Sequence, residues 1–419
     1  MGTIGCSVSA PPSVRANLLR DRDFLLFASG QAVSALGDSL SKTALPLLVL
    51  SLTGSGLHMG LIAMLSALPM LVLGIPAGAW ADRFDRRRMM LWSDVFRTIL
   101  VAVVPLSAAL GIAVLPVLYA VAVPLGVLYA VFEAACLSCV PALVGRDRIK
   151  EANVLFSIGN AFGYIAGPSL AGVLVATVGG AWTLGVDSAT FAISAVTLIF
   201  IRRPLQAAAS RAPSTMWWQI REGLAFIAGH RLLLTTLVYW AAVTFCTAPM
   251  IICVTYFVRR DLGWSPTILG GIITVYAFGA IAGALVGARL EHSGALVMAG
   301  GTMLGGVSVL ILGIVPSLPV VFGAAGVAGL GGAVAGVFYA TLRAQLTPDD
   351  LLGRVTTTAQ VATFGLQPLS VLVAGACLET TSGATTLVAM GIACLTISLV
   401  FLNRGTFLRA RHITIGGHR

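Results

Sequence analysis

Charge is scarce in this chain. Only 10% of its 419 residues are Asp, Glu, Lys or Arg, and the lysines are just two, Lys42 and Lys150. An ordinary soluble domain has about a quarter of its residues charged, so a water-exposed globule is excluded. His58, His230, His292, His412 and His418 are scattered, without the spacing of a metal site or of a nucleophile with its base. Neither lysine follows a glycine, so there is no Gly-Lys-Ser/Thr phosphate loop. Metal, cofactor, enzymatic and ATP-driven chemistry are therefore not expected. Met1 to Arg22 is polar and basic with no apolar core, which argues against a cleavable signal peptide. Apolar residues run on without period-two alternation, which argues against a β-barrel.

What remains is apolar. Hydrophobic residues make up 58% of the chain, mean hydropathy is +0.95, and there are 47 glycines, which suit close packing of helices in lipid. Runs of about twenty apolar residues recur and predict an all-α polytopic membrane protein. Twelve spans emerge. Those of the first half are Phe24–Leu50, Leu57–Ala81, Met89–Leu110, Val114–Leu143, Ala152–Val178 and Trp182–Ile201. Those of the second are Leu232–Val258, Pro266–Ala288, Ala295–Val315, Leu318–Thr341, Val355–Leu378 and Ala384–Leu402. Six of the seven cysteines fall inside these runs, and Cys136-x-x-Cys139 reads as small packing residues rather than a redox or metal motif.

The net charge of +10 does not point to nucleic acid, because the arginines cluster in alternate loops rather than along a stripe with aromatics. They occupy the N-terminal tail, the loops after the second, fourth, sixth and tenth spans, and the C-terminal tail; Arg259-Arg260 is the one exception. By the positive-inside rule both termini are cytoplasmic, which agrees with an even number of spans. The expected organisation is a tail at 1–22, a six-helix bundle at 23–201, a cytoplasmic linker at 202–231, a second bundle at 232–403 and a tail at 404–419. In the linker, Trp217, Ile220, Leu224 and Ile227 recur at helical spacing and predict an interfacial amphipathic helix, while Ala207 to Ser214 reads as flexible. Gly167-Pro168 has a rough counterpart in Gln367-Pro368, as expected of two parallel six-helix repeats with substrate between them near the midplane.

Three patterns carry chemistry. Between the second and third spans lies a knot of charge, Gly78-x-x-x-Asp82-Arg83-x-x-Arg86-Arg87-Arg88. In the fifth span stands Gly163-x-x-x-Gly167-Pro168-x-x-Ala171-Gly172. Gly279, Gly283 and Gly287 form a close-packing stripe in the eighth span, read as intramolecular rather than dimeric. The knot resembles the signature loop of the major facilitator superfamily, and the fifth-span pattern resembles the motif of that superfamily's antiporters. Arg22-Asp23-Phe24, Gln31, Gly37-Asp38, Asp94-x-x-Arg97 and the stretch Gln345 to Val355 resemble, more finely, its macrolide-efflux and enterobactin-exporter branch. The resemblance covers most of the chain. It implies two pseudo-symmetric six-helix bundles, and a gate in which Gly78, Asp82, Arg83, Arg86 and Arg87 form a network across the halves. Asp82 would sit at the start of the eleventh span, near Gly353 and Arg354, with Asp147 or Glu151 as acidic partner. Asp85 stands where the family has a second glycine. The resemblance also assigns Gly163, Gly167, Pro168 and Gly172 to a seal against leak, and so to export by exchange.

Ionisable residues inside spans are functional candidates, because burying them is costly. Asp38 and Lys42 are one turn apart and could neutralise each other. Asp94 with Arg97, and Glu133, lie within the third and fourth spans. Asp38 and Glu133 are the candidate proton sites, with Arg97 and Asp94 as partners, since a carboxylate in an apolar cavity can take up a proton near neutral pH. Asp187 reads as a structural hydrogen-bonding group. Trp240, Tyr239, Phe245 and Met250 are candidates to line an apolar substrate cavity. The expected function is proton-coupled efflux of a small amphipathic compound, an antibiotic or siderophore, by a monomer in the inner membrane of a bacterium. Import of a metabolite on the same fold is the alternative, and a polytopic membrane enzyme a more distant one.

Overall fold

The structure is a computed structural model that describes residues 18–206, 216–290, 294–348 and 350–403. Among the described residues, twelve helical spans are long and apolar enough to cross a membrane. The first six are single helices: α1 (Arg22–Thr53), α2 (Gly56–Arg83), α3 (Arg86–Ala109), α4 (Val114–Val144), α5 (Ile149–Val178) and α6 (Gly180–Phe200). The linker helix α7 (Met216–Gly229) follows. The seventh span is divided into α8 (Arg231–Thr247) and α9 (Met250–Tyr256), closed by a π-helical turn at Phe257–Asp261. Then come α10 (Pro266–Arg289), α11 (Gly294–Ile314) and α12 (Leu318–Gln345). The eleventh span is divided into α13 (Leu352–Phe364) and α14 (Gln367–Thr380), and α15 (Gly383–Asn403) ends the described chain. Both divisions fall at proline. Pro249 has no N–H to continue α8, and Pro368 stands in the first turn of α14, where a missing N–H is harmless.

Local chemistry fixes the helix ends. Asp21 and Ser55 accept backbone N–H groups as N-caps of α1 and α2. Gly54, at φ 65°, closes α1 in the left-handed region that other residues avoid. Asp85 caps α3 through the Arg88 N–H at 3.0 Å, with φ −63°. This explains the departure from the family's second glycine: the backbone there needs a capping oxygen, not glycine's freedom.

The sides of α3 show how the bundle is built. Met90, Asp94, Arg97, Val101 and Val104 point inward, while Trp92, Phe96, Ile99, Val103 and Leu106 are exposed on the opposite face. Spacing of three and four puts each set on one stripe, and the apolar stripe faces outward, as lipid requires.

In the N-terminal half α1 packs on α5 and α6, and α2 and α3 pack on α4; in the C-terminal half α12 packs on α10 and α11, and α11 on α15. The halves meet through α2 with α14 and α5 with α10. These two seams are mirror uses of one design. Gly60 approaches the Val371 carbonyl and Gly375, as Gly270 approaches the Pro168 carbonyl; Gly56 lies against Leu378, as Gly172 lies against Pro266 and Thr267. By these contacts Pro168 is the counterpart of Val371, so the pairing of Gly167-Pro168 with Gln367-Pro368 was three residues out of register. Gly279, Gly283 and Gly287 all face α12, at Gly326, Leu330 and Val337, and the stripe is intramolecular.

Helix α7 forms where the periodicity placed it. Ile227 is buried with Leu233, Leu237, Val355 and Ala359, whereas Leu224 is exposed. The side chains of Trp217 and Ile220, the stretch Ala207 to Ser214, and both expected tails apart from Leu18 to Arg22 lie outside the described residues.

Candidate functional site

The polar interior of the N-terminal half is assembled from α1, α3, α4 and α6. Small residues let these helices close around it: a Cβ on Gly37 would collide with Thr190 and Asp187 of α6. Asp187 accepts hydrogen bonds from Ser41 of α1 and from Thr190 at 3.2 Å, the structural role expected of it. One turn apart on α3, Asp94 and Arg97 form a buried ion pair, 0% and 2% exposed. The Arg97 guanidinium lies between the rings of Phe132 and Phe191, 4.2 and 4.4 Å from their centroids. The flat, weakly hydrated guanidinium suits such a sandwich, and its attraction to the ring faces offsets part of the cost of leaving water. Asp94 Oδ2 and Arg97 Nε nevertheless have no hydrogen-bond partner among the described residues.

Asp38 stands within electrostatic reach of Lys42, Arg97, Asp94, Glu133 and Asp187. The cluster thus holds four carboxylates against two cations. A cavity of about 260 Å³ inside this half is lined by Asp38, Ser41, Lys42, Arg97, Tyr129 and Asp187 at its polar part, and by Val104, Leu118 and Leu184 beyond. The expected Asp38–Lys42 pair does not form: no carboxylate is within ion-pair distance of Lys42 among the described residues. Lys42 is exposed, 5.5 Å from the centre of the Tyr164 ring. One helical turn shifts azimuth by about 40°, enough for Asp38 to line only the inner cavity while Lys42 also reaches a second one.

That second cavity, about 680 Å³, lies between the halves. Ser39, Lys42, Asn160 and Tyr164 line it from one half; Met250, Ile251, Val254 and Tyr276 line it from the other. Trp240 and Met250 border an adjoining pocket of about 280 Å³. Tyr239 is instead fully buried against Ser398, and Phe245 offers its carbonyl to Ser370; neither lines any of these three cavities.

The two ends of the molecule differ. At the end where α1 gives way to α2 the halves touch, and Glu379 of α14 accepts from the Ser55 hydroxyl at 2.6 Å and the Leu57 N–H at 3.2 Å. At the arginine-rich end the described residues show no such close approach at the gate glycines. Apart from chain neighbours and the helix's own backbone, no described atom lies within 4 Å of where a Cβ on Gly78 or Gly353 would stand, so the close approach expected at Gly78 is not seen among the described residues. The side chain of Asp82 lies outside the described residues, and Arg83 is exposed. The remaining arginines bond within their own half. Arg86 donates to the Ala81 and Ser138 carbonyls, and Arg87 to Leu198 and Ile199 at the end of α6, where the helix dipole favours a cation. Glu151 pairs with Arg148 rather than with the knot, and Asp147 is exposed. Arg354 reaches Glu222 of α7 at 2.6 Å. Among the described residues, these bonds of Arg87, Arg148 and Arg354 stay within one half or reach the linker helix.

The fifth-span motif divides its work. Gly163 and Gly167 face α1, at Ala35 and Ser39, whereas Gly172 and the Pro168 carbonyl face α10 of the other half. Cys139 is buried among apolar residues, and Cys136 lies 3.6 Å from Gln31 Oε1. Sequence reasoning missed Ser55, Glu379 and the Phe132–Phe191 sandwich. Ser55 as an N-cap was readable; its partner, more than three hundred residues away, was not.

Comparison with known proteins agrees with this architecture. The transmembrane secretion effector family matches residues 17–409. The multidrug efflux pump Tap of Mycolicibacterium fortuitum is 28% identical over 394 residues, covering 90% of this chain and 93% of its own. The enterobactin exporter EntS of Shigella flexneri is 25% identical over 327 residues, 77% of each chain. Among solved structures, a bacterial homologue of the human lysosomal transporter Spinster, inward-facing and occupied, superposes with a TM-score of 0.72 at 14% identity, over 94% of this chain and 99% of that one.

Proposed function

Because the chain belongs to the transmembrane secretion effector family of major facilitator transporters, a family of carriers and not of enzymes, we propose that it exports a small amphipathic compound in exchange for protons. The observation that carries this reading is the surplus of carboxylates in the polar interior of the N-terminal half. Asp38, Asp94, Glu133 and Asp187 face only Lys42 and Arg97, and unbalanced charge in a low-dielectric interior is costly. Protons are the species that can balance it reversibly. Asp94 is held by Arg97, and Asp187 by Ser41 and Thr190. Asp38 and Glu133 have no hydrogen bond among the described residues and are the groups free to exchange a proton. The names of the efflux relatives Tap and EntS support the outward direction.

Alternating access follows from the two seams. The halves rock about α2–α14 and α5–α10, so that the sealed end parts while the arginine-rich end closes. In the closed state of that end, Asp82 and Arg83 meet the start of the eleventh span, and Arg354 exchanges Glu222 for the knot. The arginine-rich loops lie in the cytoplasm, both termini with them, and the protein works as a monomer in the bacterial inner membrane. In the inward-open state substrate enters from the cytoplasm; protons taken up on the outer side are released inside before the next substrate binds.

Glu133→Gln tests the reading. In proteoliposomes the variant is expected to bind substrate but to lose acceleration of transport by a pH gradient. Full gradient-driven transport by this variant would remove Glu133 from the mechanism. Accumulation in everted but not in right-side-out vesicles checks the direction.

A further inference from the structure

We infer that the transported compound is an acidic amphiphile, an apolar body bearing a carboxylate or phenolate, and that Lys42 is its charge anchor. The inference rests on the export reading of the same cavity and adds the chemical class. Among the described residues that line the cavity between the halves, Lys42 is the one charged side chain. The adjoining pocket, which shares Thr247, Met250 and Tyr276 with it, is lined by no charged residue. The carboxylates that would attract a lipophilic cation are elsewhere. Asp38 and Asp187 line the cavity inside the N-terminal half, which Lys42 also borders, and not the cavity between the halves; Asp94 is fully buried in its pair with Arg97.

Lys42 itself is placed as an anchor. It sits well inside α1, far from either helix end, where an ammonium with no carboxylate at ion-pair distance is costly. It is exposed, makes no ion pair among the described residues, and lies against the ring of Tyr164. A ligand oxyanion would satisfy it. The remaining walls fix the rest of the molecule: Ile251, Val254, Ile272 and Leu312 offer apolar surface, and Asn160 and Tyr276 can exchange hydrogen bonds with further oxygens. On its far side Lys42 lies within reach of Asp38 and Glu133, with Arg97, Asp94, Asp187 and Tyr129 behind them. One ammonium therefore faces both the substrate and the proton sites, and the ligand's charge is felt by the carboxylates without touching them.

The experiment compares two xanthene dyes of opposite charge, fluorescein and rhodamine 123, by fluorescence anisotropy on the purified full-length chain with no ion gradient. The wild type is expected to bind fluorescein at least about tenfold more tightly than rhodamine 123, the scale of one charge-assisted hydrogen bond. Lys42→Gln is expected to weaken fluorescein by about tenfold or more and to leave rhodamine 123 within about twofold. Lys42→Arg, which keeps the charge, is expected to retain the preference for the anion. Tighter binding of rhodamine 123 by the wild type, unchanged fluorescein binding in Lys42→Gln, or equal loss of both dyes in that variant would each overturn the anchor. Binding at equilibrium does not depend on direction or coupling. A chain that holds fluorescein through Lys42 yet shows no proton-driven export refutes the export reading alone.

Discussion

The third and ninth spans, α3 and α11, occupy matching places in the two halves, yet α3 buries Asp94 and Arg97 whereas α11, from Gly294 to Ile314, carries no ionisable side chain. The contrast extends outward. Helices α1, α4 and α6 supply Asp38, Lys42, Glu133 and Asp187, while α15 has no charged residue and the charges of the seventh and tenth spans stand at their ends. A shared fold has thus been used for two purposes. One half holds ions in a polar interior; the other offers an apolar wall to the cavity. If that division is real, changes in the first half should move pH dependence and stability together, and changes in the second should move affinity alone.

The largest effect is expected at Arg97. Arg97→Met leaves Asp94, 0% exposed, as a buried unpaired carboxylate. Breaking a buried pair from one side costs about 3–5 kcal/mol, and the sandwich between Phe132 and Phe191 is lost as well. Thermal unfolding in detergent should fall sharply and transport should cease. The double change Asp94→Asn with Arg97→Met should recover much of the stability, since both charges are then gone, but not the proton coupling. Thr302→Val at a comparable depth of α11 removes a hydroxyl that donates to the Met298 carbonyl and also reaches Tyr239, about 1 kcal/mol, and should leave the pH profile unmoved. A pH profile that shifts equally in both variants would erase the distinction between the halves.

Much of this division was legible in the sequence. Apolar runs located the spans because a membrane helix satisfies its own backbone and needs only length and lipid-facing side chains. Asp38, Asp94, Arg97 and Glu133 stood out because they interrupt such runs, and their gathering into one half followed from the order of the spans. The geometry between them did not. Asp38 and Lys42 looked like a self-neutralising pair at one turn's spacing, but the azimuthal offset turns Lys42 toward a second cavity. Gly78 looked like a close-packing glycine, yet a Cβ there would meet no atom of another described element. Both depend on how the halves are placed relative to one another, which local spacing does not encode.

On the other side of the comparison, Tyr276→Ala trims the wall supplied by the C-terminal half. Tyr276 lines both the cavity between the halves and the adjoining pocket, so loss of its ring should weaken substrate or dye binding by about tenfold, near 1.4 kcal/mol. The dependence of transport on the pH gradient should stay as in the wild type when substrate is saturating. Measured as KM against maximal rate across a pH series, an altered pH midpoint would show that the second half also takes part in coupling.

The smallest effect is expected where the halves are joined. Glu379 of α14 accepts hydrogen bonds from Ser55 and Leu57 at the N-terminus of α2, and these contacts must break before this end can open. An anion there is also favoured by the helix dipole. The site is exposed, so the bonds contribute about 1 kcal/mol. Glu379→Ala should therefore shift the resting population toward the state open at this end by no more than about fivefold, without loss of folding. Spin-label distances between Thr53 and Thr381, each replaced by cysteine, report that population directly. A cation–anion lock of the kind expected around Asp82 would respond far more strongly. A small shift here marks the sealed end as held mainly by the backbone contacts at Gly56, Gly60 and Gly375; a large one would make Glu379 the principal latch of the molecule.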